Sequence, residues 1–294
     1  MIKLFKENYN ILKISIFGCR LDLKTIFMHI FYNLIFKIKN ILIKKNYKDH
    51  QIKKHINTFL EYGYLKLENV ISDSLFNTIN QSYLKLLNNE EYLGANTPQN
   101  ILRIKDCLIN IPELKEILNQ NEIKMFLSNY FNGDFKIYYC DIQRLYKEKN
   151  ASNKFDNNSL KWHFDNCPKS LIKLMIYLVD VNKENAAISL LNKKLSLKLK
   201  SEGYWDRETQ RNKKMILKYD IDNQAKFIDG RKKAGVFFST HYCLHRANVP
   251  LTDNLYRDAI VFLIGPSLKK YDSQINIEKD RVLSDSENFS FKPF

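Results

Sequence analysis

The chain has 294 residues, 45% of them hydrophobic and 13% aromatic, enough apolar material for one large domain or two small ones, and this excludes disorder by composition. A formal net charge of +15 would by itself suggest nucleic acid or an anionic membrane as a partner. Lysine dominates the basic residues, however, and Ile, Asn and Lys are abundant throughout, a bias that AT-rich coding sequence produces without selection for binding. Nucleic acid is therefore not expected as a partner. Five cysteines without a CxxC pair exclude a disulfide framework and fit a cytoplasmic, reducing setting.

Residues 1–48 form a basic, apolar N-terminal segment expected to be helical. Ile26 to Phe36 is strongly apolar and is followed by Lys37, Lys39, Lys44, Lys45 and Lys48. The apolar run is too short for a bilayer span of about 20 residues, and its position does not suit a signal peptide. Two readings remain: a helix packed on the domain, which is preferred, or an interfacial helix making peripheral membrane contact.

A single domain is expected over residues 49–294. His55 to Gly63 reads as a helix ending at a glycine cap, Tyr64 to Val70 alternates as a strand, and Ser72-Asp73 opens a second amphipathic helix. Residues 111–130 look helical, and Phe135 to Tyr146 reads as an aromatic strand. A polar loop from Lys147 to Ser159 follows. Leu171 to Val179 has the apolar, partly β-branched composition of a central strand, and Val236 to Phe238 and Ala259 to Ile264 supply two more. Between them, residues 192–233 form a charged insertion, read as a lid over a substrate or as a solvated excursion. Helices first and mostly strands later indicate an α+β fold with a β-sandwich or barrel core.

Trp162-His163-Phe164-Asp165 carries the chemistry. Side chains two apart on a strand share a face, so His163 and Asp165 can offer an imidazole and a carboxylate to one point. A third ligand must come from elsewhere, and among the six histidines the choice lies between His241 and His245. They stand four apart, so an extended strand would not aim both at one ion. His245 has the better sequel: Arg246 to Pro250, a turn at Thr252-Asp253-Asn254, and the strand carrying Arg257, a hairpin expected to return Arg257 beside His245. His241 is then a supporting or surface residue. Two histidines and one carboxylate form the facial triad of non-haem Fe(II) oxygenases, which leaves the opposite metal positions open. Gln143 is expected to point inward with Asp141 and Leu145 by alternation. Cys167 and Cys243 are read as small buried residues near the site.

With these residues in view, the chain resembles the phytanoyl-CoA dioxygenase family of Fe(II)/2-oxoglutarate oxygenases. The similar segments are Phe59 to Ser72, Trp162 to Asp165, Leu178 to Asn185, and His245-Arg246-Ala247-Asn248 with Arg257. The resemblance implies a double-stranded β-helix (jelly-roll) core with flanking N-terminal helices. It implies His163, Asp165 and His245 as ligands of Fe(II), and Arg257 as the partner of the distal carboxylate of 2-oxoglutarate, the cosubstrate. Asn248 is a further expected cosubstrate contact, and Gln143 is expected either to contact the cosubstrate or to serve a structural role. The chain departs from the family after Asn185, where Ala186-Ala187-Ile188-Ser189 stands in place of Gly-Pro, and that leaves the substrate pocket undefined.

The activity so implied is a dioxygenase that hydroxylates a small or lipid-like molecule with O2 and releases succinate and CO2. Retention of Asp165 favours hydroxylation over halogenation, in which a small residue frees a site for halide. The rival readings are a non-catalytic binding protein on the same fold, acting at a membrane or nucleic-acid surface, and a zinc hydrolase, which leaves Arg257 without a role.

Overall fold

A computed structural model of the chain describes residues 31, 34, 38, 49–94, 100–147, 158–165, 169–204, 210–267 and 270–271. The expectations for residues 1–48 therefore fall mostly outside the described residues. The three that are described are helical, and Phe31, Leu34 and Ile38 are 59%, 53% and 47% exposed.

The first helix, α1 (His50–Tyr62), starts where the Asp49 carboxylate accepts from the Gln51 and Ile52 amides. It stops at Gly63, whose φ of 81° is left-handed backbone that a side chain would strain. The expected glycine cap is thus present, with the helix beginning earlier than its apolar spacing suggests. Strand β1 (Tyr64–Leu67) follows, and Ser72 caps α2 (Asp73–Leu87) through the Leu75 amide. The stretch 111–130 is helical as expected, divided into a 3-10 helix (Pro112–Asn119) and α4 (Asn121–Phe131), and is preceded by a short α3 (Cys107–Asn110).

Six strands form the main sheet. They are β1, β2 (Ile101–Arg103), β3 (Asp134–Tyr146), β4 (Ile172–Tyr177), β7 (Gly235–Phe238) and β9 (Tyr256–Ser267), in the order β1-β7-β4-β9-β3-β2 and antiparallel throughout. A small sheet holds β5 (Ile188–Leu190), β6 (Lys226–Ile228) and β8 (His245–Arg246), in the order β6-β5-β8. The pleat gives each strand of the main sheet two different faces. Ile172, Leu174 and Ile176 of β4 join Ile260, Phe262 and Ile264 of β9 in one cluster with Ile56 and Phe59 of α1 and Phe126 of α4. Met175 and Tyr177 of β4 join Ala259 and Val261 of β9 on the other face, against Ile188, Leu190 and Ile228 of the small sheet. One face of the main sheet is therefore roofed by helices and the other by three short strands. This is the expected α+β jelly roll with flanking N-terminal helices.

The segment 192–233 contains α5 (Lys193–Ser201), α6 (Gln210–Lys218) and α7 (Ile221–Gln224). Part of it is buried. Leu199, Tyr204, Met215, Ile216 and Ile221 pack with Trp162 and Phe164 in a third apolar cluster.

Candidate metal centre

His163 lies outside the named strands but forms an antiparallel bridge with His245 of β8, each amide donating to the other's carbonyl at 3.0 Å. This pairing sets the two imidazoles side by side, with ring centroids 4.3 Å apart. Asp165 follows in extended chain, its amide donating to the Thr240 carbonyl at 3.2 Å. Alternation does what its spacing suggests. Trp162 and Phe164 turn into the apolar cluster beneath, while His163 and Asp165 face the interior between the sheets. The Asp165 carboxylate Oδ1 stands 3.5 Å from Nε2 of His163 and 3.5 Å from Nε2 of His245. Ligand atoms of the three residues lie within 4.8 Å of one another.

Both imidazoles are held in the tautomer a metal needs. The Nδ1 atoms lie 2.7 Å from the Lys161 carbonyl and 3.0 Å from the Cys243 carbonyl. A carbonyl only accepts, so each Nδ1 carries a proton and each Nε2 is turned toward the site. Nε2 of His245 is buried and makes no hydrogen bond, an arrangement that costs free energy unless something occupies the position. Burial, then the neighbouring His163, pulls the His245 pKa down to about 4, so the ring is neutral at pH 7. Burial alone would raise the Asp165 pKa; Lys173 and then the two histidines reverse this and hold it well below the usual carboxylate range. Two imidazoles and one carboxylate, converging at separations too long for strong hydrogen bonds, fit a divalent transition-metal ion.

His241 is not a surface residue. It is 3% exposed, and its carbonyl accepts from Lys200 Nζ at 2.5 Å, with its Nε2 3.2 Å from the same atom. Lys200 also stands 4.3 Å above the Phe164 ring. The pair thus supports the segment between the ligands from behind.

Arg257 does not return beside His245 in a hairpin. β8 belongs to the small sheet and β9 to the main one, so the chain crosses between sheets after His245, and Arg257 pairs with Leu145 of β3. The guanidinium is 2% exposed; Nη1 donates to the Ala186 carbonyl at 2.7 Å, and Nε has no partner. Among the described residues no carboxylate pairs with it, and burial lowers its pKa from the usual arginine value. The register places Arg257 in line on β9 with Ala259 and Val261, which face the interior. A buried cation without a counter-charge is suited to an anionic ligand.

Gln143 pairs with Ala259 in the register and so shares that inward face, as do Asp141 opposite Val261 and Leu145 opposite Arg257. Its Oε1 accepts from Arg103 Nε at 3.2 Å, and the same nitrogen lies 3.2 Å from Asp141. Asn248 donates to the Ala187 carbonyl and, at 2.8 Å, to Ser189 Oγ. These contacts tie Asn248 to β5 near Ala186, the residue that holds Arg257. Cys243 is buried, and its carbonyl orients His245; Cys167 lies outside the described residues.

Sequence reasoning missed Lys173. Its Nζ stands 2.6 Å from Asp165 Oδ2. A lone charge inside the apolar run Leu171 to Val179 was the available signal.

No protein-family model and no curated protein sequence matches the chain. Solved structures do match. The non-heme epimerase SnoN in complex with Fe3+, alpha ketoglutarate and nogalamycin RO superposes with a TM-score of 0.54 at 13% identity, covering 83% of this chain and 93% of that one. HygX from Streptomyces hygroscopicus, with nickel, 2-oxoglutarate and hygromycin B bound, gives 0.53 at 13% identity over 74% and 89%. The alpha ketoglutarate dependent carbocyclase SnoK from nogalamycin biosynthesis gives 0.51 at 16% identity over 79% and 91%. At this identity the likeness establishes the fold.

Proposed function

We propose that the protein is an Fe(II)- and 2-oxoglutarate-dependent oxygenase acting on a small organic molecule. The observation that carries this reading is the convergence of His163, Asp165 and His245 on one point, with the unpartnered Nε2 of His245 aimed into it. His163, Asp165 and His245 would hold Fe(II). The bound ion would supply activation of O2 coupled to oxidative decarboxylation of 2-oxoglutarate to succinate and CO2. Arg257 would bind the distal carboxylate of the cosubstrate, since a guanidinium stays charged and can grip a carboxylate with two donors. Met175, Tyr177, Ala259 and Val261 would keep water from the slot between metal and guanidinium. Asn248 would brace the β5 wall beside Arg257, and Gln143 would line the open side of the interior near the main-sheet edge.

Within the superfamily, the segments around the ligands support the phytanoyl-CoA dioxygenase family, and retention of Asp165 supports hydroxylation as the outcome. The described core is continuous from α1 to β9, which supports one oxygenase domain over residues 49–294. For residues 1–48 the exposure of Phe31, Leu34 and Ile38 leaves an apolar surface for peripheral membrane contact, the alternative to the preferred packing on the domain. Among the described residues no helix is long and apolar enough to cross a membrane. The test is succinate release on incubation with Fe(II), 2-oxoglutarate, O2 and a panel of small polar and lipid-like metabolites. Release stimulated by one class identifies the substrate class. Absence of succinate under every condition, uncoupled turnover included, overturns the reading.

A further inference from the structure

Lys173 is rooted in β4, a strand hydrogen-bonded on both sides, where it pairs with Phe238 of β7 and Leu263 of β9. Its neighbours Ile172 and Leu174 face the helices, so by alternation Lys173 faces the interior with Met175. Asp165, by contrast, lies outside any strand. The ammonium therefore ties a carboxylate on an irregular segment to the most constrained part of the sheet. It does so through one oxygen only. Oδ2 is 2.6 Å from Nζ, while Oδ1 is the atom 3.5 Å from both imidazole nitrogens.

We infer that Lys173 is a positioning residue that restricts Asp165 to a single ligating oxygen. The inference rests on the metal-binding reading above and adds to it a determinant of how many coordination positions stay open. A carboxylate free to turn can offer both oxygens to a divalent ion, as acidic ligands commonly do. With Oδ2 held by an ammonium, two imidazoles and one oxygen are all that the chain contributes. Three positions then remain, two for a chelating 2-oxo acid and one for O2. The ammonium also adds positive charge beside the ion, so its role is not to tighten metal binding. It trades affinity for vacancy.

The experiment compares the wild-type chain with Lys173→Met, which has similar length and no charge, and with Lys173→Arg, which keeps a donor. Each is loaded with Mn(II). The number of bound waters is read from the broadening of the Mn(II) EPR signal in oxygen-17 water, and 2-oxoglutarate binding to the Mn(II) form is read by calorimetry. Lys173→Met should bind Mn(II) no more weakly than wild type, hold one water fewer, and lose about tenfold in 2-oxoglutarate affinity, because the second carboxylate oxygen fills a position the chelate needs. Lys173→Arg should restore the water count. Lys173→Ala gives the same reading if the methionine variant fails to fold. An unchanged water count in the uncharged variants overturns the inference while leaving the metal site standing. Failure of the wild-type chain to bind Mn(II) overturns the underlying reading as well.

Discussion

Replacing Arg257 by leucine separates a ligand-binding guanidinium from a structural one, because the two roles predict losses in different quantities. In the folded chain Arg257 is 2% exposed and its guanidinium donates to the Ala186 carbonyl, while Nε has no partner among the described residues. A buried ion lacking a counter-charge costs several kcal/mol even after relaxation. Substitution removes that cost and leaves the Ala186 carbonyl without its donor, worth about 1–3 kcal/mol. The two nearly cancel, so Arg257→Leu should be as stable as wild type to within about 1 kcal/mol in ligand-free protein. Binding of a dicarboxylate should instead fall steeply. Loss of one partner of a buried, charge-assisted contact costs about 2–5 kcal/mol, a rise in Kd of roughly 30-fold to several thousand-fold. Urea unfolding of the metal-free variant and calorimetric titration of 2-oxoglutarate into the Mn(II)-loaded variant measure the two quantities. A variant destabilised by more than about 3 kcal/mol whose 2-oxoglutarate affinity is unchanged would make Arg257 a structural residue and refute the reasoning.

Metal-free protein should lose stability on mild acidification because His245 is neutral and buried. Its folded pKa of about 4 lies below the unfolded value of 6.5, so the unfolded chain binds the extra proton first. The loss begins as pH falls below about 6.5, reaches roughly 3 kcal/mol near pH 4, and should largely vanish in His245→Gln, as followed by urea unfolding across this range. Tyr204→Phe deletes the hydroxyl that donates to the Trp162 carbonyl at 2.9 Å and should cost about 1 kcal/mol in the same assay. It should also weaken metal binding, since Trp162 precedes a ligand; an unaltered Mn(II) isotherm would show that the turn after α5 does not support the site. Deleting residues 1–45 should leave the fold and Mn(II) binding intact, because the described core begins at Ile52, and should abolish salt-sensitive retention on anionic vesicles. Loss of solubility on truncation would favour packing on the domain instead.

The ligands were legible because strand alternation is a local rule: His163 and Asp165 share a side for the reason their spacing gives, and Phe164 takes the other. The cap at Gly63 and the strands near 135–146, 172–177 and 256–267 were legible for similar reasons. Pairing between distant strands was not. The turn after His245 looked like a hairpin, yet β8 is two residues long and pairs with β5, while β9 pairs with β3 and β4. Local turn signals do not say to which sheet each arm belongs. The helical segment 192–233 was also obscured, because its net polarity hides Leu199, Tyr204 and Ile221, which are fully buried. Lys173 escaped notice since a lysine within an apolar run reads as an exposed edge until its partner is known.

Anaerobic titration of Fe(II) followed by 2-oxoglutarate tests the central claim most directly. The account predicts a weak visible charge-transfer band that saturates at one Fe(II) and one 2-oxoglutarate per chain and is absent from His163→Ala and Asp165→Ala proteins that remain folded. No band in the wild-type chain, or a band that persists when either ligand is removed, would contradict it.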